Sequence, residues 1–311
     1  MQIIQCVPNF SEGRRKEVIA RLGAAVRGVP GIRLLDVQSD ADHNRSVLTF
    51  IGPPQPVLAA ALAAMRVATE SIDMEQHTGS HPRIGATDVV PFVPVAGVAL
   101  DQCVQFARRF GELVASELHI PVYLYGAAAQ RDERVLLANI RRGQYEGLKA
   151  EVDQTGRRPD FGEPRLHPTA GATAVGARRP MVAYNVYLSG VEMAVARRIA
   201  RQVRERDGGL PGVQAIGLDV AATEQVQVSM NLLDTDQTSI WRAYQEVRQL
   251  AEAAGGTVVR SEVIGLVTLS AVTDSLAEAI GCHELAARQV LEAHLVGSGP
   301  AEEEDEKCPA Q

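Results

Sequence analysis

Met181-Val-Ala-Tyr-Asn-Val-Tyr-Leu188 opens the stretch on which the fold turns: a β-rich run followed by a helical pattern over residues 191–206. Two more strand-like runs come next, at 213–220 and Gln225-Val-Gln-Val-Ser-Met-Asn-Leu232, then a helix over 239–254 and a strand over 257–267. That order, βαββαβ, is ferredoxin-like. Working outward, the first half repeats the theme. A strand at 3–8 precedes a helix at about 13–27, for which Ser11 is the expected cap. Strands at 32–37 and 45–51 flank a polar loop at 38–44, and an Ala-rich helix is expected over 54–72. A strand at 89–94, a helix at 100–118 and a strand at 121–125 follow. Residues 151–180, rich in Asp, Gly, Pro and Arg, read as a long irregular crossing between the halves, and 301–311 as an acidic, disordered tail.

Composition narrows the function. The chain has 311 residues, 46% apolar and 22% charged, with a net charge of −7, which suits a soluble globular protein and gives no reason to expect nucleic acid as a partner. No run is long and apolar enough for a membrane span, and the first ten residues lack a basic start followed by an apolar core, so a cytoplasmic protein acting on small molecules is expected. Cys6, Cys103, Cys282 and Cys308 show no Cys-x-x-Cys pairing. Gly171-Ala-Thr-Ala-Val-Gly-Ala-Arg178 has the glycine spacing of a phosphate-binding loop, but Ala177 and Arg178 stand where Lys and Ser or Thr are required.

The chemistry concentrates in Glu75-Gln-His-Thr-Gly-Ser-His-Pro-Arg-Ile-Gly-Ala-Thr-Asp88, where two imidazoles, a guanidinium and a carboxylate share a stretch that Gly79 and Pro82 keep from being a helix. His81, on an irregular and exposed loop, is a candidate general acid or base, against the plain alternative of a polar loop residue. His77 and His81 are four apart, as in a helical zinc motif. Thr78 replaces the motif's Glu, however, and Gly79 and Pro82 oppose the helix, so no metal is expected.

These stretches together resemble the glutamate formimidoyltransferase family. The resemblance is carried by Cys6-Val-Pro-Asn-Phe-Ser-Glu-Gly13, Asn44-Arg45-x-Val-x-Thr-Phe50, His77-x-Gly-x-His-Pro-Arg-x-Gly-Ala86 with Asp88, and Pro121-Val-Tyr-Leu-Tyr-Gly126. It continues through Pro159-Asp-Phe-Gly162, the Gly171–Arg178 run and Asn231-Leu-Leu-Asp234, collinear over about residues 1–298. It implies an α+β fold of two ferredoxin-like subdomains, at 1–178 and 179–298, facing across a substrate tunnel. It also implies transfer of the formimino group of N-formimino-L-glutamate to N5 of tetrahydrofolate, a cosubstrate, with no tightly bound cofactor. His81 would be the catalytic histidine. The folate-contacting segment would be Gly162, Glu163, Pro164, Arg165, Leu166, His167, Pro168, Thr169, Ala170 and Gly171, anchored by Gly162, Pro168 and Gly171. A homodimer is implied, and the chain's length implies a monofunctional form whose product passes to a separate cyclodeaminase.

Around His81, Asp88 is a candidate to orient the ring or stabilise the cationic amidine, or else to cap local backbone. Arg45 and Arg83 are candidates to hold substrate carboxylates, or else structural ion pairs. Asp42, with Asp40 and His43, is a candidate to line the pocket. The alternatives in function are formyl transfer between 5-formyltetrahydrofolate and glutamate, and a non-catalytic folate-binding protein.

Overall fold

The computed structural model describes residues 2–220, 225–282 and 284–296. The chain divides after Arg179 into two compact units. In the first, β1 (Ile3–Cys6) and β2 (Asn9–Phe10) lead into α1 (Lys16–Arg27), β3 (Arg33–Asp40), β4 (Arg45–Gly52), α2 (Pro54–Ser71) and β5 (Thr87–Ala96). There follow α3 (Leu100–Leu118), β6 (Val122–Gly126), the short helices α4 (Leu137–Ile140) and α5 (Gln144–Glu151), and β7 (Thr173–Ala177).

β1 and β2 are successive segments at one position in the sheet, each antiparallel to β4 on one side and β5 on the other. With β3 outside β4, the order β3-β4-β1/β2-β5 is that of a ferredoxin-like sheet, the antiparallel hairpin β3–β4 joined to the rest through crossover helices. β7 and β6 extend it, in parallel, beyond β5. Along β4 the pleat sends Ser46, Leu48 and Phe50 fully into the core and leaves Val47, Thr49 and Ile51 only partly covered. The core face meets Leu22 and Val26 of α1, the Ala-rich face of α2 around Ala61, Ala64 and Met65, and Phe110 of α3. Phe110 stands edge-on to Phe92 of β5, with ring centroids 5.3 Å apart at 76°.

The second unit contains β8 (Val182–Ser189), α6 (Met193–Val203), β9 (Val213–Val220), β10 (Gln225–Leu232), α7 (Ile240–Ala253), β11 (Thr257–Ile264) and α8 (Leu269–Ile280). Its four strands are antiparallel in the order β11-β8-β10-β9, the expected ferredoxin-like topology. Strict alternation on β10 buries Val226, Val228, Met230 and Leu232 against Ala196, Ile199 and Val203 of α6 and Val247 of α7. Ser239 caps α7, its Oγ accepting from Arg242 N at 3.0 Å.

The structure departs from expectation in four places. Ser11 does not cap α1: its hydroxyl donates to Gly85 O, 2.7 Å away, and the amides of Arg14 and Arg15, just before the helix, are taken by the Glu12 carboxylate, each at 2.8 Å. The polar loop after β3 is shorter than expected, because pairing with β4 carries β3 to Asp40. The crossing at 151–180 contains β7, a central strand with all five residues buried. A strand buried on both faces has no alternation to betray it, and Thr, Ala and Gly read as loop. The helices α4, α5 and α8 were not anticipated. The acidic tail expected at 301–311 lies outside the described residues. Among the described residues no helix is long and apolar enough to cross a membrane.

Phe110→Ala should remove a fully buried ring from the first core and cost about 3–5 kcal/mol of stability. Chemical denaturation checks this, and a loss below about 1 kcal/mol would show that the Phe92–Phe110 contact does not organise the core.

Candidate active site

The segment joining α2 to β5 carries His81, and backbone contacts fix its path. Met74 N donates to Thr169 O at 2.8 Å, Ala86 N to Ala170 O at 2.9 Å, and Ala172 N to Ile84 O at 3.0 Å. Two glycines allow the close approach. A Cβ on Gly79 would lie 2.4 Å from His43 O, and one on Gly85 would lie 1.9 Å from Ala172 O. Gly79 has no left-handed φ, so proximity rather than backbone angle requires it.

His81 is half-buried rather than exposed. Its Nδ1 lies 2.7 Å from Pro82 O. A carbonyl only accepts, so Nδ1 carries the proton and the lone pair sits on Nε2. Burial, followed by the positive charges of Arg45 and Arg141, pulls the imidazole pKa down to about 4. The His43 ring stands edge-on at 6.2 Å, and His43 Nδ1 is itself 3.0 Å from Asp40 Oδ1.

Asp88 is fully buried at the start of β5 and does not orient His81. Its Oδ2 accepts from Arg45 Nη1 at 2.9 Å and Arg141 Nη2 at 2.5 Å, and its Oδ1 from Ile84 N at 3.0 Å. Burial would raise the pKa of this carboxyl, but Arg141 and Arg45 override it and hold the group below the usual range. Asp88 therefore caps the backbone at Ile84 and fixes two guanidinium groups. Arg45 is held further by Asn9 Oδ1, at 3.1 Å from Nε and 2.8 Å from Nη2.

Arg83, expected as a substrate grip, spends its fork inside the protein. Nη1 and Nη2 donate to Glu146 Oε2 and Oε1 at 2.8 and 2.6 Å, and Nη1 also reaches Gln144 Oε1 at 3.0 Å. The hydrogen bond to Arg83 draws the Glu146 pKa down to about 2. Glu75 ties the same loop to α5, accepting from Tyr145 Oη at 2.6 Å and from Lys149. Arg83 is thus a fastener. His77 is another: Nδ1 accepts from Arg83 Nε at 3.3 Å and Nε2 lies 3.1 Å from Asn44 O. Among the described residues no group of His, Cys, Asp and Glu is placed to hold a metal ion. Asp42 has an exposed side chain and meets the loop through its carbonyl, which accepts from Ser80 N and Oγ.

The segment Gly162–Gly171 divides in two. Residues Gly162, Glu163, Pro164 and Arg165 are exposed, with Arg165 paired to Glu163 at 3.1 Å. Gly162 takes a φ of 88°. From Leu166 onward the chain is pinned to the His81 loop. His167 and Gly171 exchange backbone hydrogen bonds at 3.0 and 3.1 Å, and His167 Nδ1 accepts from Ala170 N at 3.0 Å. Thr169 and Ala170 supply the carbonyls that hold Met74 and Ala86, leaving Pro168 exposed at the turn. The structure therefore brings His81, Arg45, Asp88 and the second half of this segment together, and leaves its first half apart.

Arg141 is the residue that sequence reasoning missed. It follows α4, a four-residue helix without amphipathic pattern, and nothing in Ile140-Arg-Arg-Gly143 tells Arg141 from its exposed neighbour Arg142. Asp88→Asn should leave the buried Arg45 and the partly buried Arg141 without their counter-charge and cost about 3–5 kcal/mol, read by thermal or chemical unfolding. Wild-type stability in that variant would mean the cluster does not depend on the carboxylate.

The formiminotransferase domain, N-terminal subdomain, matches residues 3–178, and the formiminotransferase domain matches residues 183–286. A glutamate formimidoyltransferase from Streptococcus pyogenes serotype M1 is 41% identical over 297 residues, 95% of this chain and 99% of that protein. One from Thermoplasma acidophilum is 44% identical, over 88% of this chain and 91% of its own length. The formimidoyltransferase-cyclodeaminase of Rattus norvegicus is 44% identical over 89% of this chain, which spans 52% of that protein. With both subdomains matched in order on the two units that carry them, the chain belongs to the formiminotransferase family.

Proposed function

We propose that this protein is a glutamate formimidoyltransferase that moves the formimino group of N-formimino-L-glutamate to N5 of tetrahydrofolate, releasing L-glutamate. Membership of the family supports the reaction. The observation that carries the role of His81 is its ring: Nδ1–H is committed to the Pro82 carbonyl, so Nε2 is left to take and return a proton.

N5 attacks the electrophilic amidine carbon: a C–N bond forms and the C=N π pair of the amidinium moves onto the imino nitrogen. The N5 proton passes to His81 Nε2. The imino nitrogen then re-forms its double bond to that carbon as the bond to the glutamate nitrogen breaks, whose electron pair stays on that nitrogen and takes the same proton from His81. Residues Gly162–Gly171 contact the folate, and the attachment of their second half to the His81 loop through Ile84–Ala172 and Ala86–Ala170 holds pterin and base in register. The protein works as a cytoplasmic homodimer.

Mixing the purified protein with both substrates and following glutamate and 5-formiminotetrahydrofolate by mass spectrometry tests the reaction. His81→Ala should lower turnover about 10²–10⁴-fold. Folate binding without transfer would turn the assignment toward a formyl donor or a silent binding protein. A pH profile tests the base. It acts unprotonated, and its pKa lies below the ordinary value, so activity is kept as pH falls below 6.5. The acid limb of kcat/KM, which reports the free enzyme, should lie near 4. A limb at 6.5 would remove His81 from that role.

A further inference from the structure

We propose that Arg141, anchored next to Arg45 through their shared Asp88, binds the α-carboxylate of the group donor near His81. Two guanidinium groups share one carboxylate, Asp88, which leaves a positive charge in a largely buried place. Arg45 is saturated by Asp88 and Asn9, but Arg141 is not: its Nε is buried without a hydrogen-bond partner among the described residues. A buried, orphaned donor on a charged side chain is costly, and a carboxylate supplies the missing acceptor in the planar geometry that guanidinium prefers. Arg83, the sequence's candidate for this task, has already closed its fork on Glu146.

The chemistry of the reactants decides whose carboxylate it is. In N-formimino-L-glutamate the α-carboxylate is separated from the reacting amidine carbon by Cα and one nitrogen. The carboxylates of a folate hang from the far end of its benzoylglutamate tail, remote from N5. An anion grip next to the catalytic imidazole therefore fits the donor. Holding that group fixes the Cα–N bond and presents the leaving nitrogen to His81.

Binding there also retunes the base. The groups facing His81 are Arg45 from β4, Asp88 from β5, Arg141 after α4, and His43 with Asp40 from the turn between β3 and β4. Arg45 and Arg141 both disfavour the imidazolium. A donor carboxylate set against them cancels part of that field and raises the basicity of His81 only when substrate is present.

Because this inference rests on formimino transfer as the reaction, its test includes a readout that needs no turnover. L-Glutamate is titrated into the protein by calorimetry, and the His81 imidazole is followed by NMR against pH. Arg141→Ala should weaken glutamate binding roughly 30-fold or more, the loss expected when one partner of a buried charge pair is removed. It should also raise the His81 pKa of the empty protein. Arg141→Lys, which keeps the charge that Asp88 needs, should restore folding stability and part of the binding. In wild type, glutamate should move the His81 pKa upward, and the acid limb of kcat should lie above that of kcat/KM. Unchanged glutamate affinity in a folded Arg141→Ala or Arg141→Lys variant would overturn the proposal. Arg141-dependent glutamate binding without any transfer would leave it standing and sink the assigned reaction instead. Transfer with an unaltered donor KM in both variants would do the reverse.

Discussion

The carboxylate of Asp88 is the contact on which the rest of the site depends. It is buried without exposure, and it stays charged because three donors surround it, one from the backbone and two from arginines that are distant in sequence. Those three donors come from the His81 loop, from β4 and from the segment after α4. One side chain thus decides where the loop turns into β5, where Arg45 points and where Arg141 is drawn in. Such an arrangement is poor as a source of stability, since desolvation offsets much of the attraction. It is effective as a geometric constraint, because any rotation of the carboxylate leaves a charge unpaired.

A second set of contacts keeps the loop from moving as a flap. Arg83 grips Glu146, Glu75 is held by Tyr145 and Lys149, and Ile84–Ala86 lies against Ala170–Ala172. Two of these ties run to α5 and the third to the segment that leads into β7. The imidazole is therefore preorganised, which lowers what substrate binding must spend on ordering it. His167 serves the same end, clasping the turn that carries Ala170.

The ferredoxin-like order was legible in both halves because its elements are amphipathic at periods of 2 and 3.6, and β10 and α6 show it cleanly. The irregular path of the His81 loop was legible because Gly79 and Pro82 exclude a helix around it. What stayed hidden has one physical cause: burial on all sides erases periodicity. β7 has no polar face to alternate with, and Arg141 and Asp88 owe their roles to partners more than fifty residues apart in one case and forty in the other. Arg83 was misjudged for the complementary reason. A guanidinium in a loop advertises a carboxylate partner, but the sequence does not say whether that carboxylate is a ligand's or Glu146.

The low pKa of His81 bears on how one imidazole can serve both halves of the proposed transfer. At about 4 it is a weak base in the empty protein, but its conjugate acid is correspondingly strong. The two steps do not make equal demands. Once N5 has bonded to the amidine carbon its nitrogen is ammonium-like and its proton is acidic, so a weak base suffices to remove it. Expulsion of glutamate is harder, because an amine leaves only when its nitrogen is protonated. Arg45 and Arg141, whose field the donor carboxylate cancels only in part, disfavour the imidazolium and drive the proton onward to that nitrogen. What remains of the charge that Asp88 leaves uncompensated thus works on the harder step, and it does so through a ring whose tautomer the Pro82 carbonyl has already set.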